Sequence, residues 1–287
     1  MSGKFWSQDG AWSVVAGCSG KRDGVCKVRS CWAETLVGTR LSRLPQFAGL
    51  SQPTTMTTGS ADVPRWTSEA RFFPEALSKP LHWRRPRIVA PGWLGDPFDP
   101  GITDEQIAAM YGIMSSCPQH TFLVTTKRPE RRREWHGWVN LGGEASLRIL
   151  QILYAVTHRV GVSLPIHHGG PWPLQNVWEG VSICDQPDAD KRIPVLIDTP
   201  AAQRWVIAEP LLGPVLIGGH MAAAARNGTP IEAVVVGAET GHGARPCDPE
   251  MIRSIVRQCR AAGVPCWTKA GLDDSDPCYQ RRLPWAT

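Results

Sequence analysis

The chain has 287 residues, 42% of them apolar and 20% charged, and a formal net charge of +5 at pH 7. That balance suits a soluble protein with a sizeable core and excludes a disordered or fibrous chain. No stretch supplies the roughly 18 apolar residues of a membrane helix, and "MSGKFWSQDGAW" lacks the apolar centre of a signal peptide, so a cytoplasmic, non-membrane protein is expected, its nine cysteines reduced.

In chain order, "WSVVAG" (12–17) reads as a first strand and runs into "GCSGKRDGVCKVRSCWAE", which places Cys18, Cys26 and Cys31 within fourteen residues. Residues 45–80, rich in Pro, Gly, Ser and Thr, read as an insertion or lid. "RIVAPGWLG" (87–95) is the second strand. "TDEQIAAMYGIMSSC" (103–117) predicts a helix with Thr103 as N-cap, Asp104 and Glu105 in the first turn, and Ile107, Met110, Tyr111 and Met114 on one face. "HTFLVTTK" (120–127) is the third strand, followed by a helical pattern over 145–160 and a second insertion or lid over 161–175.

"NVWEGVSI" (176–183), "QRWVIAEP" (203–210), "IEAVVVGAE" (231–239) and "GVPCWTKA" (263–270) complete the strands. A short helix over 188–198 is limited by Pro194, and a longer one over 248–263 has Asp248 as cap, Pro249 at its first position and Gly263 as its stop. Short, nearly continuous β-branched runs are what parallel strands buried on both faces look like. Their alternation with helices predicts right-handed crossovers and a barrel or partial barrel formed as one domain over residues 1–287.

In such a fold the chemistry belongs at the C-terminal ends of the strands. There the sequence sets the cysteines, then Gly95 and Asp96, then Thr126, Lys127 and Arg128, then Ser182 and Asp185, then Glu209, then Glu239, Thr240 and Arg245, then Lys269. The basic runs "HWRRPR" (82–87), "TKRPERRR" (126–133, which includes Arg131) and "YQRR" (279–282) lie near Trp83, Trp93 and Trp135. Basic clusters with neighbouring aromatics point to phosphates and bases; a solvated arginine face is the alternative.

Three cysteines leave several readings open. A structural zinc site needs a fourth ligand, for which His82 or Cys117 is available. A catalytic cysteine needs a base supplied by the fold. Inert buried cysteines fit poorly in a loop as polar as "SGKRDGV". An iron–sulfur cluster saturated by four thiolates carries electrons; three leave one iron open to the amino and carboxylate groups of S-adenosylmethionine.

The segments "GCSGKRDGVCKVRSCWAE", "LSKPLHWRRPRIV", "PQHTFLVTTKRPER", "NVWEGVSICDQPDADKRIPVLIDTPAAQRWVIAEPLLGPV" and "VVVGAETGHGARPCDPEMIRSIVRQCRAAGVPCWTKAG" resemble a phage-encoded family of radical S-adenosylmethionine type. The resemblance implies a partial (β/α)6 TIM-like barrel of radical SAM type with insertions. It implies a [4Fe–4S] cluster held by Cys18, Cys26 and Cys31, with S-adenosyl-L-methionine as the second cofactor. Trp32 takes the position that packs near cluster and adenine. Gly95 and Asp96 take that of the motif contacting the methionine amino group, where Gly-Glu is commoner. Ser182 stands where ribose or carboxylate contacts are usual. Thr126, Lys127, Glu209, Glu239 and Lys269 point to the shared pocket.

Relatives are thereby expected to isomerise an N-linked glycyl-thymine to its C-linked form in phage DNA, within the infected host cell and with an external electron donor. Lys127 or Arg245 would clamp the substrate carboxylate, Glu209 or Glu239 its amine, and Trp93 or Trp178 would stack on the extruded base; Arg128 and Arg131 are candidate nucleic-acid contacts. The cysteine spacing, x7 and x4, is wider than the family's, and the longer, basic loop is expected to reach toward nucleic acid. A radical SAM DNA-lesion repair lyase and a zinc-stabilised nucleic-acid-binding protein without catalysis are the alternatives.

Overall fold

Buried β-branched runs pair side by side into a curled parallel sheet in a computed structural model of the chain, which describes residues 12–29, 31–54, 63–159, 171–241 and 243–280. The elements begin with β1 (Val15–Gly17), α1 (Trp32–Gly38), β2 (Ser51–Thr54), β3 (Val63–Trp66), β4 (Ala70–Phe72), β5 (Ile88–Val89) and β6 (Leu94–Gly95). They continue with α2 (Asp104–Ser115), β7 (Thr121–Thr126), α3 (Pro129–Val139), α4 (Ala145–Arg159), β8 (Val177–Ile183) and α5 (Gln186–Asp198). The last are β9 (Gln203–Ala208), α6 (Gly218–Arg226), β10 (Ala233–Gly237), α7 (Pro249–Ala261) and β11 (Cys266–Ala270).

Six strands form a half barrel in the order β11-β10-β9-β8-β7-β5, every pairing parallel. The expected first strand stands outside it: β1 pairs with β6 in parallel and with β4 antiparallel. The cause lies in the stretch expected as one strand over 87–95. Pro91 has no N–H to give a ladder, and Gly92 turns the chain at φ 72°. The strand therefore splits, β5 staying with β7 while β6 swings to β1. A parallel bridge between Trp12 and Pro91 keeps the two sheets adjacent. Gly17, at φ 85°, ends β1 where a Cβ would lie 2.1 Å from the Glu69 carbonyl oxygen. The first insertion contains the antiparallel hairpin β2–β3 and β4; of the second, only 171–175 fall within the described residues.

The two faces of the sheet follow the strand period of two. Phe122, Val124, Val181, Ile183, Val206, Ala208, Val234 and Val236 pack beneath the helices. Leu123, Trp205, Ala233 and Val235, with Trp178, Ile207 and Trp267, form a separate cluster on the inner face. Gly180 makes room there: a Cβ at that position would lie 2.3 Å from Trp205 Nε1. Helix α2 begins with a capping box in which Thr103 Oγ1 accepts from the Gln106 amide and the Gln106 side chain accepts from the Thr103 amide. On the helix side of β8, buried Glu179 accepts from Tyr111 Oη at 2.6 Å and pairs with Arg132 at 3.3 Å. Among the described residues no helix is long and apolar enough to cross a membrane.

Candidate active site

The inner-face alternation carries polar groups to the strand ends. The series Leu123–Thr125–Lys127, Trp178–Gly180–Ser182, Trp205–Ile207–Glu209, Val235–Gly237–Glu239 and Trp267–Lys269 each step by two from the inner layer toward the C-terminal end. Lys127, Ser182, Glu209, Glu239 and Lys269 thus line one cavity of about 290 Å³, together with Cys18, Cys26, Cys31, Trp32, Trp93, Gly95, Asp96 and Thr126. Of the residues singled out in the sequence at the strand ends or as base and phosphate contacts, Arg128, Arg131, Asp185, Arg245 and Trp178 do not line it.

The cysteine loop folds back over the strand ends and is fixed at many points, with Arg22 on its exposed turn. The Ser19 amide donates to Asp99 at 2.8 Å, and the Ser19 hydroxyl lies between Asp99 at 2.8 Å and Asp23 at 2.6 Å. Arg128 Nη2 donates to Ser19 Oγ and to Asp23, each at 2.7 Å. Lys21 pairs with buried Glu34 of α1 at 2.5 Å, and Glu34 also accepts from Arg65 and from the Trp66 amide of the hairpin. Lys27 reaches Asp185 at 2.7 Å and Asp188 at 3.0 Å, at the start of α5. Arg192 donates to the Val25 carbonyl and Arg245 to the Lys27 carbonyl, each at 2.8 Å. The basic loop is therefore a charge-matched clamp across the strand ends, and its Lys21 and Lys27 are spent on internal carboxylates.

Several candidates make contacts that the sequence did not anticipate. Arg128 anchors the loop, and Arg131 pairs with Asp104 at 2.6 Å. Asp96 accepts from Thr126 Oγ1 at 2.7 and 2.9 Å, from the Lys127 amide at 3.0 Å and from the Phe98 amide at 2.9 Å. It ties the β6 end to β7, with both of its oxygens engaged. Glu239 accepts three bonds from Arg245 and one from the Arg29 amide. Burial raises the Glu239 carboxyl, but those bonds outweigh it and hold it down at about 2. Trp178 lies in the inner layer below the cavity.

Lys127 Nζ donates to Ser182 Oγ at 3.2 Å. Burial works against its charge, but Cys26, Cys184, Cys18 and Asp96 outweigh burial and lift its pKa above the ordinary value. Lys269 Nζ stands 2.6 Å from Glu209 Oε1. Burial first, and Asp96 second, push the Cys18 thiol up to about 12, and burial raises Cys31. Left alone these thiols stay protonated; a bound metal takes them as thiolates.

Among the described residues no three His, Cys, Asp or Glu side chains are set around a single metal ion, the arrangement a structural zinc requires. Neither His82 nor Cys117 lines the cavity, and Cys117 is buried in the core beside α2. A cluster makes a different demand, since each thiolate binds its own iron. At the rim, Trp32 is half exposed and meets Trp93 edge-on at 5.3 Å.

Glu34, Trp66, Asp99 and Arg192 were not singled out by the sequence. A carboxylate on an apolar helix face, as at Glu34, is the one local signal any of them carries. A family model described as "Protein of unknown function (DUF5131)" matches residues 4–274. No curated protein and no solved structure matches the chain.

Proposed function

The chain belongs to the DUF5131 family, and we propose that it is a radical S-adenosylmethionine enzyme acting on a modified base in DNA. One observation carries the reading: three thiols from one clamped loop share a cavity with polar side chains from the C-terminal ends of a parallel sheet. The donor set fits the implied group. Cys18, Cys26 and Cys31 would hold a [4Fe–4S] cluster, and three thiolates without a fourth leave one iron open. Bound there and reduced by an external donor, the cluster would supply the one electron that splits S-adenosylmethionine into methionine and a 5′-deoxyadenosyl radical able to take hydrogen from an unactivated C–H bond.

The chain's own residues prepare the space for that chemistry. The Lys127 ammonium, beside Cys26 and Cys18, offsets the charge of ligating thiolates. Asp96 fixes the β6 end against β7, so the backbone at Gly95 presents a rigid edge to the cavity. Val28, Ala33, Leu123 and Ile207 give it apolar walls that exclude water. Trp32 and Trp93 form an aromatic rim suited to an extruded base. With Arg128 paired to Asp23 and Arg131 to Asp104, phosphate contact falls to more exposed side chains such as Arg22.

The reaction follows the family resemblance: rearrangement of an N-linked glycyl group on the thymine methyl carbon to a C-linked one, without net redox change. The test is anaerobic. Protein reconstituted with iron and sulfide is reduced and incubated with S-adenosylmethionine and DNA carrying the glycyl-modified base, and the digested nucleosides are analysed by chromatography and mass spectrometry. The reading predicts a retention shift at unchanged mass that depends on S-adenosylmethionine. Release of 5′-deoxyadenosine with no such shift would refute the isomerisation, and a colourless protein holding one zinc would refute the radical class.

A further inference from the structure

Charged side chains at the strand ends divide into saturated and unsaturated groups. Glu239 accepts four hydrogen bonds from protein donors, and Asp96 accepts from three, the Thr126 hydroxyl lying between its two oxygens. Lys27 is shared between two carboxylates. Lys269 and Glu209 differ: among the described residues each has the other as its one polar partner, at 2.6 Å. An ammonium has three donors and a carboxylate about four acceptor sites, so most of the valence of both groups is open. Their side chains are 31% and 15% exposed, and both line the cavity. The open donors and acceptors of both groups face the cavity, where a ligand can take them up.

We propose that the Lys269–Glu209 pair is the recognition site for an α-amino-acid group on the substrate, Glu209 receiving its ammonium and Lys269 its carboxylate. A simple anion competes with Glu209 for Lys269, and a simple cation competes with Lys269 for Glu209. A ligand carrying both charges on neighbouring atoms closes an alternating quartet and displaces neither. Ile207 and Pro210 supply an apolar wall beside the pair, and Thr240 brings a hydroxyl to the same cavity. The two side chains come from the ends of β9 and β11, on either side of β10, whereas the cysteine loop leaves β1.

The assignment rests on the reading that an aminoacyl base is the substrate. Because S-adenosylmethionine also ends in an α-amino-acid group, the test separates the two sources. Full-length protein binds 5-(N-glycyl)methyl-2′-deoxyuridine or its decarboxylated counterpart, and separately S-adenosylmethionine or methylthioadenosine, with affinities read by calorimetry. Wild type is expected to prefer the glycyl nucleoside over the decarboxylated one by about tenfold or more. Lys269→Met abolishes that preference and tightens the decarboxylated amine, whose competitor for Glu209 is gone, Lys269→Arg retains the preference, and Glu209→Gln weakens both amine-bearing nucleosides. Persistence of the glycyl preference in Lys269→Met would overturn the assignment. So would loss in Lys269→Met of the preference for S-adenosylmethionine over methylthioadenosine with the glycyl preference intact, which would give the pair to the cofactor. Iron content and the visible spectrum are recorded on the same samples. A chain that takes up no cluster yet keeps the Lys269-dependent preference refutes the radical reading and upholds the recognition site; a clustered chain without the preference does the reverse.

Discussion

Replacing Asp99 by Asn keeps the side chain's shape and removes its charge at the tightest anchor of the cysteine loop. Asp99 is buried; Oδ2 accepts from the Ser19 amide at 2.8 Å and shares the Ser19 hydroxyl with Asp23, and Oδ1 accepts from the Gly101 amide at 3.1 Å. Asparagine offers one acceptor oxygen, so in either orientation its amide faces a backbone N–H. The change loses a charge-assisted bond, of about 1.5–3 kcal/mol, and strands a buried donor, at about 1–3 kcal/mol. These costs overlap, and a net loss of about 2–4 kcal/mol is expected. At about 2–4 °C per kcal/mol for a chain of this size, Tm falls by on the order of 10 °C. Asp23→Asn is the control. Asp23 also pairs with Arg128, at 2.7 Å, but its side chain is 24% exposed, and exposed pairs contribute about 0–1 kcal/mol. Calorimetry of cluster-free protein measures both, and iron uptake on reconstitution reports loop geometry. Asp99→Asn should melt well below Asp23→Asn and take up less iron; an Asp99→Asn protein with wild-type Tm and full iron uptake would refute the clamp.

Three further expectations follow from the same geometry. The Glu239 carboxyl titrates near 2 in the folded protein against an ordinary 4.5, so its stabilisation is complete above pH 4.5 and lost as pH falls toward 2. The stability gap between wild type and Glu239→Gln should therefore be on the order of 3 kcal/mol near neutrality and shrink through that window; a gap that ignores pH would contradict the pairing. Gly180→Ala forces a Cβ to within 2.3 Å of Trp205 Nε1 and should cost about 1–3 kcal/mol in urea unfolding, whereas an unchanged midpoint would mean the inner Trp layer repacks freely. Lys127→Met should lower the midpoint potential of the reconstituted cluster, because an ammonium beside Cys26 and Cys18 favours the more negative reduced form; an unaltered potential would separate Lys127 from the cluster.

The inner-face residues were legible because period two is a local property: once Trp205, Ile207 and Glu209 are read in phase, the glutamate's direction follows. The same holds for Ser182 and Lys269. The break at Pro91 and Gly92 was present in the sequence but masked by the apolar residues on either side, so one strand was expected where β5 and β6 serve two sheets. Helix α3 was hidden in a run read for its charge, although Pro129 sits at its first turn and buried Arg132 faces Glu179. The roles of Arg128, Asp99 and Arg192 were not legible, since their partners in the loop are 105, 80 and 167 residues away. Charge is written in the sequence; whether it faces solvent or a buried carboxylate depends on contacts that only the fold creates.

The central claim, that Cys18, Cys26 and Cys31 hold a cluster with one iron open to S-adenosylmethionine, meets its most direct test in electron paramagnetic resonance of the reduced, anaerobically reconstituted protein. The account predicts a [4Fe–4S] signal that changes when S-adenosylmethionine is added and disappears when any one of the three cysteines becomes alanine. A protein that holds zinc and gives no signal would contradict it, as would a signal that survives the loss of Cys31 or ignores S-adenosylmethionine.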